Sequence, residues 1–168
     1  MDEKESLQTF NVKCIDYRNE INDSTVQVWY KTIENPEVYD IVYDKLYKFS
    51  GNFRIYCLEY RDTKGNVFQN ESDRLSNAFY GLCKKLEKHK IKLLIKGCNI
   101  DYYMIPRLQY SIKAIKLILG KRTDKNDTLI MIFDLEEDLS KIVTVDEQLQ
   151  FYNKWLESIK GTPSRQPL

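Results

Sequence analysis

Five consecutive residues, DLEED at 134–138, carry four carboxylates directly after the apolar run LIMIF. Asp134, Glu136, Glu137 and Asp138 could hold a divalent cation, because hard cations take several oxygen ligands. Four acids at a strand exit are more often a solvated turn or an acidic docking patch. A second constellation is LLIKGCNIDYYMIPR at 93–107. If LLI is a central strand, Gly97 allows a sharp exit. Asn99, Asp101, Tyr102, Tyr103 and Arg107 then lie beyond the strand's carboxyl end, where ligands collect in open α/β sheets. The competing reading has Asp101 capping a turn while the tyrosines plug the sheet edge. The segment offers residue types favoured at binding hot spots and no nucleophile–base pair.

Other chemistries lack their residues. A phosphate-cradling loop needs clustered glycines, and the six here are scattered singly. A zinc site needs grouped His and Cys, against one histidine and four dispersed cysteines. Cys14, Cys57, Cys83 and Cys98 form no C-x-x-C pair, and the expectation is buried, reduced thiols. His89 stands among lysines and reads as a solvated helix-end residue; its catalytic alternative is a base for a distant Cys98. No cofactor is expected.

The elements that must position these residues follow from periodicity. LQTFNVKCI (7–15), TVQVWYKTI (25–33) and NFRIYCLEY (52–60) read as strands, and DTKGN followed by VFQ as a hairpin. Between them a helix is expected, with Asn35 as cap, Pro36 in its first turn, and Val38, Ile41, Val42, Leu46 and Phe49 on one face. NESDRLSNAFYGLCKKLEKHK predicts a long helix capped by Asn70 or Ser72, with Leu75, Ala78, Phe79, Leu82 and Leu86 as its apolar stripe. It runs into IKLLI, which suggests a right-handed parallel crossover. Residues 106–120 fit a helix or an irregular stretch plus a strand at about 113–119; the strand is favoured because TLIMIFD needs a neighbour. TVDE at 144–147 predicts a capping box on a closing helix with Val145, Leu149, Tyr152, Leu156 and Ile159 inward. The expected fold is α+β, and α/β-like: a single mixed β-sheet packed by about three helices. It forms one domain over 1–160, with a flexible tail at 161–168.

The chain of 168 residues balances 26 basic against 25 acidic side chains, a net charge of +1. That argues against a dedicated nucleic-acid binder. Its charged start has no signal-peptide core and its apolar runs are short, so neither membrane insertion nor export is expected, and the cytoplasm is the expected location. Twelve tyrosines suit half-buried strands or a binding surface.

The succession of capped long helix, LLIKG, Asp-Tyr-Tyr segment, LIMIFD and closing FYNKWL helix resembles small bacterial immunity proteins of polymorphic, contact-dependent toxin systems. The resemblance spans about residues 70–160 and is one of general organisation. It implies a single-domain, cytoplasmic, non-catalytic protein that binds and blocks one toxin domain; it carries over no functional residue. The expected function is therefore a protein-binding module that presents Asp101, Tyr102, Tyr103, Arg107, Asp134, Glu136, Glu137 and Asp138 to its partner. The alternative is a small metal-dependent hydrolase or nuclease using Asp101, Asp134 and Glu136. A structural subunit of an assembly is a third possibility.

Overall fold

In the computed structural model, which describes residues 5–161, the chain runs through ten strands and two α-helices. These are β1 (Glu5–Ile15), β2 (Ile21–Glu34), β3 (Glu37–Asp40), β4 (Lys45–Lys48), β5 (Asn52–Asp62), β6 (Val67–Ser72), α1 (Leu75–Lys88), β7 (Lys92–Leu93), β8 (Tyr102–Tyr103), β9 (Lys113–Lys116), β10 (Leu129–Met131) and α2 (Val145–Ile159). A curled five-stranded sheet has the order β6-β5-β2-β1-β7; β10-β9-β8 form a second sheet and β3-β4 a third. Every pairing is antiparallel.

This corrects the expected class. The protein is mostly β, 43% strand against 24% helix, with two α-helices rather than three on one mixed sheet. The expected parallel crossover is absent because β7 joins β1 antiparallel, at the sheet margin, over Cys14 and Ile15 only. The helix expected after Asn35 is the β3–β4 hairpin. Its apolar residues share no single face: Val38 and Phe49 pack with Trp29, Ile55 and Cys57, Val42 packs on the main core, and Leu46 is exposed. Asn35 caps no helix; it stands at φ 48°, and its side-chain oxygen accepts the Gly51 N–H at 2.7 Å.

Other expectations hold. The three long strand segments and the hairpin to β6 are in place, and α1 buries Leu75, Ala78, Phe79, Leu82 and Leu86. It begins only at Leu75, without a side-chain cap, since Asn70 and Ser72 belong to β6. β9 falls inside the expected 113–119 stretch and finds β10 as its neighbour. Both halves of the capping box are made: Glu147 N–H to Thr144 Oγ1 and Thr144 N–H to Glu147 Oε1, each 3.2 Å. The inward face of α2 is rotated from the expected stripe. Gln148 and Trp155 are buried with Val145 and Ile159, whereas Leu156 is exposed.

The inner face of the large sheet (Val12, Cys14, Val26, Val28, Leu58, Tyr60) forms one core with α1 and with Leu93, Ile115, Ile132 and Trp155. All four cysteines are buried and unbridged. Among the described residues no helix is long and apolar enough to cross a membrane. Of the expected tail, residues 162–168 lie outside the described residues.

Candidate binding face

The two sequence constellations meet in space. The segment at 94–96 runs beside 134–136: Glu136 N–H donates to Leu94 O at 3.0 Å and Lys96 N–H to Asp134 O at 2.8 Å. Gly97 follows in a short 3-10 turn, and its N–H donates to Ile132 O at 2.9 Å. This glycine serves close approach rather than a sharp exit. A Cβ there would stand 2.7 Å from the Phe79 ring and 2.9 Å from Ile132 Cβ.

Only one acid of DLEED turns inward. Glu136 is buried, and its carboxylate accepts from Asn99 Nδ2, from Lys96 Nζ at 3.3 Å and from the Asp138 N–H at 3.2 Å. Burial pushes this carboxyl up, but the bonds from Asn99, Asp138 N–H and Lys96 outweigh it and hold it below the ordinary value. A buried carboxylate without such donors would be strongly unfavourable. Asn99 is fixed in turn: its Oδ1 accepts the Asp101 N–H at 2.7 Å and its carbonyl takes a bond from Gln148 Nε2 at 3.3 Å. Gln148 also donates to Gly97 O at 2.8 Å, which explains a buried glutamine on the apolar side of α2.

With Glu136 anchored, its neighbours are forced outward. Asp134, Glu137 and Asp138 are exposed. Leu135 stands among them and Leu139 directly after them, at 46% and 45% exposure, high for leucine in so constrained a loop. Asp138 caps the 3-10 turn Leu139–Lys141 by accepting the Ser140 N–H at 3.1 Å, and the Ser140 side chain lowers its carboxyl below the ordinary value. Asp101 pairs with Lys141 at 3.3 Å on the flank of this loop.

The aromatic residues divide. Tyr103 is buried in a stack, 5.0 Å from Tyr80 and 4.3 Å from Tyr152 between ring centroids, and burial raises its hydroxyl. It is packing. Tyr102 is half-buried and lines an open cavity of about 250 Å³ with Lys116, Lys121 and Arg122. Arg107 is exposed, and its guanidinium donates to Asp124 O at 3.0 Å. Tyr103 and Glu136 therefore belong to the support, while Asp134, Glu137 and Asp138 remain on the surface.

The proposed metal set gains nothing from this arrangement. Asp101 and Glu136 are committed to Lys141 and to Lys96 with Asn99, and among the described residues no group of three or more His, Cys, Asp or Glu is placed to hold a metal. His89 lies against Phe68 at 4.6 Å between ring centroids, and the Cys98 sulfur lies 3.9 Å from that of Cys83. Neither contact joins imidazole to thiol.

Lys96, Leu135, Leu139, Lys141 and Gln148 escaped the sequence reading. The interrupted apolar face of α2 at Gln148 was the one available signal. No protein-family model matches the chain, and no curated protein matches it.

Proposed function

We propose that the protein is a non-catalytic binding module whose acid-and-leucine loop at 134–139 docks a basic protein partner and covers its working surface. The observation that carries this reading is the inward turn of Glu136, which holds Leu135 and Leu139 exposed among Asp134, Glu137 and Asp138. A loop ordered before contact avoids the entropic cost of ordering on binding. Apolar side chains supply affinity once desolvated, and the surrounding acids speed encounter and reject wrong partners. The resemblance to immunity proteins supports a toxin domain as partner and the bacterial cytoplasm as the place of action. The test is a search of the genes beside its own for a toxin domain, followed by co-expression with that domain. Protection from growth arrest is expected, together with its loss in a folded Leu135→Arg/Leu139→Arg variant. Full protection by that variant would overturn the assignment of the face.

A further inference from the structure

Two of the buried thiols face each other. The Sγ atoms of Cys83, on α1, and Cys98, in the turn Lys96–Cys98, stand 3.9 Å apart, and both residues are buried. The other two are placed elsewhere: Cys14 Sγ lies 3.2 Å from the Tyr60 hydroxyl, and Cys57 sits in the small cluster on the far side of the sheet. A disulfide sets its sulfurs about 2.0 Å apart, so the pair must close by roughly 1.9 Å, which small rotations of both side chains supply.

The pair is within reach of a small reagent. A cavity of about 10 Å³, lined by both cysteines with Val143 and Gln148, is the least space that admits a molecule the size of water. Beside it a surface recess of about 430 Å³ opens next to Leu139, and Glu87, Ile91, Lys92 and Ile142 line both spaces. Hydrogen peroxide, little larger than water, needs only a slight opening of these four side chains, whereas oxidised glutathione is too bulky for the route. The hydrogen bond to Cys98, and burial after it, push the Cys83 thiol well above its ordinary range. Cys83 therefore keeps its proton and points it at Cys98, which leaves the Cys98 sulfur as the nucleophile.

We infer that Cys83 and Cys98 are a modification site for peroxide, which joins them in a disulfide that fastens the turn Lys96–Cys98 to α1. The Cys98 thiolate attacks one peroxide oxygen and the O–O bond breaks. Cys98 becomes a sulfenic acid, and the departing hydroxide takes up the Cys98 proton as water. The Cys83 sulfur then attacks the Cys98 sulfur. The S–O bond breaks, and the leaving hydroxide carries off the Cys83 proton as a second water. Two thiols lose two electrons in all, and one peroxide is reduced to two waters. The bond spans 15 positions of sequence and encloses β7, so it removes freedom from any state in which the turn has left α1. Because Cys98 directly precedes Asn99, it also ties the network around Glu136 to the body of the protein.

The full chain is treated with millimolar hydrogen peroxide or, in parallel, with oxidised glutathione, then alkylated in denaturant and digested with pepsin without reduction. Peroxide should yield a peptide pair joined through Cys83 and Cys98, two hydrogens lighter than the reduced peptides and separated by dithiothreitol. Oxidised glutathione should form the bond at least about tenfold more slowly. In Cys83→Ala the Cys98 sulfenic acid should accumulate and be captured by dimedone, whereas Cys98→Ala should leave Cys83 open to alkylation. Amide exchange at 96–101 should slow at least about tenfold in the oxidised protein. Both cysteines alkylated after peroxide, a bond to Cys14 or Cys57 in place of this one, or equal rates with the two oxidants overturns the proposal. So does exchange at 96–101 that the bond leaves unchanged. Should either variant fail to fold, the peptide map and the exchange profile of the unaltered chain decide.

Discussion

The large sheet with α1 and the segment from Leu94 to Val143 are held by different forces. The first uses strands of up to 14 residues and a helix whose buried stripe is apolar, so its cohesion scales with area removed from water. The second has strands of two to four residues and three 3-10 turns. Beside its apolar contacts it is tied by a buried Asn99–Glu136–Lys96 network that Gln148 locks from α2. Apolar burial tolerates small shifts, whereas a buried carboxylate with three donors tolerates few. The contrast is between a body built for stability and a loop region built for a defined shape.

The largest effect should come from the body. Phe79 is fully buried and touches both regions, stacking edge-on with Phe133 at 5.8 Å and lying under Gly97. Phe79→Ala should destabilise by roughly 3–5 kcal/mol in a urea titration, with all probes shifting together. A loss confined to the amides of 94–143 would show the two regions to be separable.

A smaller and more local effect is expected from Asn99→Ala. It takes away a donor from Glu136 and should cost about 1–3 kcal/mol. Exchange should quicken at 96–101 and 136–143 while β2 and β5 keep their protection. Equal loss in β2 and β5 would erase the contrast.

Acid gives the mildest probe, because each region holds carboxylates with a lowered affinity for protons, Asp16 and Asp62 in the first and Glu136 and Asp138 in the second. For such a group the unfolded chain takes up the proton first. Its stabilisation is complete above the ordinary carboxylate range, near pH 4, and is lost as pH falls through the folded value. Glu136 follows this course, and so does Asp16, where the hydrogen bond from Lys64 leads in lowering the carboxyl to about 2. Glu136→Gln should therefore flatten the fall of stability below about pH 4. An unchanged slope would mean that the network contributes no proton linkage.

The body was legible because its periodicities are clean. The stripe from Leu75 to Leu86 points to one element and one face, whereas the alternation in 52–60 shows the strand but not that both its faces are buried, Ile55 and Cys57 in the small cluster and Tyr56, Leu58 and Tyr60 in the main core. The β3–β4 hairpin was not, since residues of two separate cores and the exposed Leu46 fell by coincidence at helical spacing. The candidate face was half legible. DLEED announced itself by charge, but nothing in its spacing says that Glu136 alone turns inward. That choice depends on Asn99, some 37 positions away in sequence. Leu135 and Leu139 drew no notice in the sequence, because their exposure follows from the anchoring of Glu136 and not from their spacing.

The two tryptophans report on different regions, Trp29 from within the large sheet and Trp155 from α2, where it packs on the second. Trp29 belongs to the small cluster with Val38, Ile55 and Cys57 on the far side of the sheet, and Trp155 ends the ladder Tyr80–Tyr103–Tyr152–Trp155, its indole N–H on Lys121 O at 2.9 Å. The chain has only these two. It therefore carries one optical label in the large sheet and one against the second region without any engineering. The emission of Trp29→Phe follows the aromatic ladder, and that of Trp155→Phe follows the sheet. Melting curves from the two variants, once aligned for any difference in stability, would coincide if the protein unfolds as one unit. They would part if the Leu94–Val143 region loosens first, and the gap between them would measure the free energy of that opening.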